Sequence, residues 1–309
     1  MAHLHQLVCD GVAAQISEYG ASLRGLQVDG VDLVWGSPHA TPPMSAGITL
    51  IPWTNRIDGG LWAWNGTIQQ LAITEPELNN AIHGLVATTR FAPALVRADF
   101  VRLESSIANA PGYPFRLRIA IEYRVHRRGL DVTTIITNVG ECPSPVAVGA
   151  HPYLRLGDTA ADDIDITIRA ESAYELDERY IPHGRASVEG TPVDLRSGMP
   201  ASRAVRHVCY SDLEVVEGRV SHRLRAVDGA EVEVWADPRF RYAQLFISSE
   251  FPGVPDGQLA IAIEPMTAPP NALRAGTDLE WLDPDETWTL TWGIRVIDAT
   301  HAPSAAADS

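Results

Sequence analysis

The nine residues Leu117-Arg118-Ile119-Ala120-Ile121-Glu122-Tyr123-Arg124-Val125 decide the fold class. Leu117, Ile119, Ile121, Tyr123 and Val125 are apolar, and the residues between them are small or charged. Successive side chains of a strand point to opposite faces, so this period of two describes a half-buried strand. The next segment, Leu130 to Asn138, is rich in β-branched residues and follows a short Arg128-Gly129 turn. Together the two segments predict an antiparallel hairpin.

Working outward, the same pattern returns. Val220 to Ala236 reads as a second hairpin, with Asp228-Gly229 as the turn and Val232, Val234 and Ala236 on one face. Gly30 to Trp35, Leu259 to Ile263 and Thr287 to Val296 have strand-like composition between clusters of Gly, Pro, Asp and Asn. No window of 12 or more residues carries a helical stripe, and 24 Gly with 22 Pro interrupt any long helix. With no βαβ alternation, the predicted class is all-β, a large antiparallel β-sandwich. No internal repeat or linker is visible. Residues 1–298 are therefore expected to form one domain, and 299–309, small and polar, a flexible tail.

Composition then narrows the function. With 45% hydrophobic and 20% charged residues the chain can bury a sizeable core. The net charge of −15 repels phosphate backbones and anionic lipid headgroups, so neither nucleic acid nor a membrane surface is an expected partner, and a neutral small molecule fits better. No stretch approaches the roughly 18 apolar residues of a spanning helix. The opening MAHLHQLVCDG lacks the basic and apolar regions of a signal peptide, which predicts a cytoplasmic location. Cys9, Cys142 and Cys209 are odd in number and lack paired spacing, so free thiols are expected rather than disulfides or a zinc site. Every basic residue is arginine. The absence of lysine excludes Schiff-base chemistry, a pyridoxal phosphate linkage and a P-loop lysine together.

Four segments combine titratable or forked polar groups with Gly or Pro, as ligand-presenting loops do. In Pro52-Trp53-Thr54-Asn55-Arg56, just before Gly59-Gly60, Arg56 offers a fixed fork of donors suited to vicinal hydroxyls, beside Asn55. Taken alone, Arg56 reads more readily as a surface arginine paired to an acid. Trp53 is the candidate to stack on a sugar face. His83 precedes Gly84. His151 precedes Pro152, which biases it to extended backbone at a strand end. Either imidazole suits proton transfer near neutrality, although a lone histidine is more often structural. The other histidines are read as scattered, with His3 and His5 solvated at the terminus. Glu264 closes the apolar run Leu259 to Ile263 and precedes Pro265, so its carboxylate is expected at the end of a buried strand. Burial there raises a carboxyl pKa toward neutrality, and a structural ion pair to arginine is the alternative. There is no G-x-S-x-G, H-E-x-x-H or nucleotide-binding loop.

In this order the segments resemble the aldose 1-epimerase (galactose mutarotase) family from about residue 10 to 297. The resemblance is carried by Asn55-Arg56 before a glycine turn, Trp62 to Gly66, His83-Gly84, Gly112-Tyr113-Pro114-Phe115, His151-Pro152-Tyr153, the run from Glu264 to Ala272, and Trp292-Gly293-Ile294. It implies a galactose mutarotase-like supersandwich with an open sugar cleft and no cofactor or metal. It also implies that Glu264 is the general base for the anomeric hydroxyl and His151 the acid for the ring oxygen. His83 and Arg56 resemble the groups that hold the sugar, Asp212 falls where the family has a sugar-binding aspartate, and Gln244 is a looser match. A phosphorylated- or acidic-sugar mutarotase would need a cationic clamp, for which Arg127-Arg128 is the only local cluster. A non-catalytic sugar binder would need no acid-base pair, and a glycosidase usually needs two facing carboxylates.

Overall fold

Two large antiparallel sheets hold most of the strand residues in a computed structural model that describes residues 3–37, 39 and 41–297. The expected tail at 299–309 lies outside the described residues. The larger sheet has nine strands in the spatial order Ala92–Val96, Phe100–Ala110, Tyr113–His126, Gly129–Asn138, Thr287–Val296, Glu231–Ala236, Val220–Ala226, Ile164–Ile168 and Met199–Pro200. The smaller has eight, ordered Pro182–Ser187, Ala170–Leu176, His207–Leu213, Tyr242–Ser248, Ala260–Met266, Gly149–Ala150 and Thr49–Leu50, with Tyr153–Leu154 also paired to Ala260–Met266. A four-stranded sheet of Leu4–Cys9, Val12–Ser17, Ser22–Val28 and Val31–Asp32 follows chain order. Among the described residues the single α-helix is Ala272–Ala275, and no helix is long and apolar enough to cross a membrane.

The alternating stretch lies within Tyr113–His126, where Leu117, Ile119, Ile121, Tyr123 and Val125 are buried and Arg118 and Arg124 are exposed. Its hairpin partner is in the expected register, Leu117 opposite Asn138 and Val125 opposite Leu130. The turn is one residue earlier than expected. Gly129 already pairs with His126, which leaves Arg127-Arg128 as the two-residue loop. The second hairpin pairs Val220 with Ala236 and turns through Asp228-Gly229. Its second strand is buried on both faces rather than one, because it lies between Val220–Ala226 and Thr287–Val296. Glu233 on that second face is satisfied by Ser221 Oγ and Arg295 Nε, both at 2.5 Å.

One apolar cluster joins the sheets into a sandwich. It takes Ile119, Ile121, Ile136 and Ile294 from the larger sheet and Val208, Leu245, Ile247 and Ile263 from the smaller. Each such side chain gains roughly 1.5–3 kcal/mol by leaving water. The long ladders therefore make a rigid platform for side chains on the smaller sheet.

Candidate functional site

The smaller sheet gathers polar side chains by register. Gln244 lies opposite Glu264, and Phe246 lies opposite His207. Directly paired residues share a face, as do residues two apart, so Gln244, Phe246, Glu264 and His207 all point the same way. Glu264 is not at a strand end. The strand runs on through Pro265 to Met266, and Glu264 occupies its interior.

The flanking strand is broken opposite this point. Gly149 pairs with Met266 and Tyr153 with Ala262, while the intervening His151 and Pro152 leave the ladder. His151 instead ties its backbone to the preceding loop, its N–H donating to Ile48 O at 3.1 Å and its carbonyl accepting from Gly47 N at 2.8 Å. The break brings His151 Nε2 to 3.4 Å from Glu264 Oε1.

A small ladder of Arg56–Asp58 and Asn80–Ile82 supplies the opposite wall. Asn55 and His83 flank it with φ of 53° and 62°, and the His83 N–H donates to Asn55 O at 3.0 Å. Left-handed backbone at non-glycine residues costs on the order of 1 kcal/mol each and is typically retained where geometry serves a site. Gly84 follows with φ +79°, and a Cβ there would lie 2.1 Å from Ile51 O. Only glycine fits that approach, which sets where His83 projects.

The side chains converge on a cavity of about 430 Å³ lined by Asn55, Arg56, Glu75, His83, His151, Tyr153, His207, Gln244, Phe246 and Glu264 among others. Its volume is in the range of small-molecule sites. Arg56 donates from Nε and Nη2 to the two Glu75 oxygens, each at 2.8 Å, and its Nη1 is 3.2 Å from His207 Nε2. Its guanidinium also stacks on the Tyr180 ring. Arg56 is thus paired to an acid and is also a wall of the cavity. Asn55 Nδ2 donates to Gln244 Oε1 at 3.1 Å, and Gln244 Nε2 donates to Val208 O and Leu245 O. Gln244 thereby spends its amide on holding Asn55 and the sheet.

Burial dominates the electrostatics. It pushes the Glu264 carboxyl well above its ordinary value, with nearby Arg56 pulling partly the other way. It lowers His151 to about 3 and His207 to about 3, and takes His83 well below the ordinary imidazole range, each further depressed by Arg56. At neutral pH the three rings are therefore uncharged. Glu264 Oε2 and the His83 Nδ1 have no hydrogen-bond partner among the described residues. Donor atoms of His83, His151 and Glu264 all lie within 4.8 Å of one another, a spacing that could also hold a metal ion.

Some residues differ from the sequence reading. The histidines are not scattered, since three from distant parts of the chain meet here. Trp53 is in the apolar core and does not line the cavity, whose aromatic walls are Tyr153 and Phe246. Asp212 is elsewhere: it pairs with Arg185 at 3.4 Å and lines a separate hollow with Arg241, Tyr242 and Asp278. It sits five residues beyond His207 on the same strand, and at about 3.3 Å per residue that is roughly 16 Å. His207 and Glu75 were not singled out by sequence. His207 opens a strand and Glu75 lies in Thr74-Glu75-Pro76, neither of which marks a site by itself.

Comparison with known proteins gives the family and the fold. The family model described as aldose 1-epimerase matches residues 4–295. The uncharacterized protein YihR of Escherichia coli (strain K12) is 30% identical over 284 residues, covering 91% of this chain and 89% of that protein. Among solved structures, the GalM/aldose epimerase homologue from C. elegans superimposes with a TM-score of 0.83 at 18% identity, covering 96% of this chain and 99% of that one. The galactose 1-epimerase from Lactobacillus acidophilus NCFM gives 0.75 at 20% identity over 95% and 94%. At these identities the structural likenesses establish the shared β-sandwich fold. With the family model spanning nearly the whole sequence, the chain belongs to the aldose 1-epimerase family.

Proposed function

We propose that this protein is a cofactor-independent aldose 1-epimerase that interconverts the α and β anomers of a free sugar. The observation that carries the reading is the placement of His151 Nε2 3.4 Å from Glu264 Oε1 on the wall of a sugar-sized cavity. The anomeric hydroxyl and the ring oxygen hang on one carbon, so an acid and a base serving them must stand close together.

In the proposed cycle Glu264 accepts the anomeric O–H proton while His151 delivers a proton to the ring oxygen. The O–H electron pair forms the aldehyde C=O as the C1–ring oxygen bond breaks, its electrons going to the newly protonated oxygen. Rotation about C1–C2 presents the other face, and reversal of both transfers closes the ring as the opposite anomer. The pair carries one proton throughout. Burial lowers the His151 pKa and raises that of Glu264, which puts the proton on Glu264 in the free site, so the proposed roles require it to pass to His151 across the 3.4 Å gap when sugar is bound. Positioned groups of this kind typically contribute a factor of about 10²–10⁴ each. Arg56 and His83 are proposed to hold the sugar hydroxyls, with Asn55 beside them and Gln244 fixing Asn55.

The test is polarimetry or exchange NMR on freshly dissolved α-anomers of neutral and acidic aldoses. Accelerated equilibration of at least one aldose is expected. Sugar binding by calorimetry with no acceleration across the panel would favour a non-catalytic binder instead.

A further inference from the structure

We propose that His3, His5 and Glu18 form a zinc-class metal site at the edge of the four-stranded sheet. The sequence reading leaves both histidines in solvent, but the fold buries His5. His5 is in Leu4–Cys9 with only 7% of its surface exposed, and Glu18, just after Val12–Ser17, is 3% exposed.

His3 and His5 are two apart, so their side chains share one face, and their rings meet edge to face at 4.8 Å. The register Leu4 opposite Ser17 sets Glu18 beside His3, whose carbonyl accepts from the Glu18 N–H at 3.2 Å. One ligand atom from each of the three residues lies within 4.8 Å of the others. His5 Nε2 has no hydrogen bond and stands 3.4 Å from Glu18 Oε1. Two ligands bound tetrahedrally at about 2.0–2.1 Å are separated by about 3.3 Å, so this pair already spans one edge of a zinc tetrahedron. Arg90 Nε donates to Glu18 Oε2 at 2.9 Å, which orients the carboxylate and leaves Oε1 for an ion. His3 is the exposed member of the three.

Two imidazoles and one carboxylate favour Zn²⁺ over Mg²⁺ or Ca²⁺, which prefer all-oxygen shells. An ion here would staple the first strand to the segment after the second and stabilise the folded chain by mass action.

The experiment is calorimetric titration of the full chain with Zn²⁺ alone, in a Glu264→Gln background that removes one donor of the cavity cluster. Binding of one Zn²⁺ with a rise in Tm is expected. His3→Ala, which alters an exposed side chain, and His5→Gln should each weaken it by at least about tenfold. Absence of zinc binding in the parent overturns the proposal. So does either variant, folded by circular dichroism, binding within threefold of the parent.

Discussion

Arg56 and Glu75 form a bidentate clamp, with the guanidinium Nε and Nη2 each 2.8 Å from a carboxylate oxygen and both side chains about nine-tenths buried. The clamp fixes the direction of a fork that also touches Asn55 Oδ1 and His207 Nε2. Glu75→Gln keeps the shape and loses the charge, so Arg56 is freed to rotate. A fall of about 10- to 100-fold in kcat/KM for anomer exchange is expected, with the fold retained. Exchange kinetics on the variant check this, and unchanged kinetics would leave the clamp without a role in catalysis.

Gly84→Ala should be costly in two ways. Its φ of +79° disfavours any Cβ, and the nearest atom would be the Ile51 carbonyl at 2.1 Å. Destabilisation by more than about 2 kcal/mol in urea unfolding is expected, because backbone rather than a flexible side chain must yield. Sugar exchange should fall as well, since His83 moves with its neighbour. A variant as stable as the wild type would contradict the backbone account of this turn.

Asp212→Ala should leave anomer exchange within about twofold of wild type. The side chain pairs with Arg185 at a hollow separate from the sugar-sized cavity, and an exposed pair of this kind is worth on the order of 0–1 kcal/mol. Parallel assays of the two proteins test this, and a large loss would place a sugar contact where none of the cavity walls lies.

How far the site can be read from sequence depends on whether a residue's neighbours are local. Asn55 with Arg56, His83 with Gly84, and His151 with Pro152 each sit in a segment whose turn chemistry is visible, and Asn55, Arg56, His83 and His151 line one cavity. Glu75 is different. Its partner Arg56 is nineteen residues away, and nothing local selects it from 39 acidic residues. His207 is assigned to the cavity face only by its register with Phe246, which is a long-range pairing. Asp212 fails for the same reason in reverse, since a loosely matching segment names the right strand but the wrong end. Trp53 is two residues from Asn55 in sequence, yet the positive φ at Asn55 separates a core side chain from a cavity side chain. The sheet class was easier, because alternation such as that from Leu117 to Val125 is local and each inward side chain is buried.

Stability should depend on pH in opposite senses for the two central groups. Burial lowers His151 from 6.5 to about 3, so the folded state binds fewer protons than the unfolded chain between those values. That contribution is fully present above about pH 6.5 and is lost as pH falls toward 3. Burial raises Glu264 above 4.5, so the folded state keeps a proton that the unfolded chain releases, and stability falls as pH rises from 4.5 through the folded value. Glu264→Gln removes that penalty. The variant is expected to be more stable than wild type above about pH 4.5, with the gap widening as pH rises. Urea unfolding of both proteins from pH 4 to 8 checks the sign, and a gap that shrinks with pH would contradict it.

The most direct measurement is exchange NMR of one accepted aldose with wild type, Glu264→Gln and His151→Gln at neutral pH, each confirmed folded and still binding sugar. Each substitution should lower kcat by at least about 10²-fold, and the double variant should fall little further, because the pair acts as one unit. Wild-type rates in either folded variant would contradict proton exchange through His151 and Glu264.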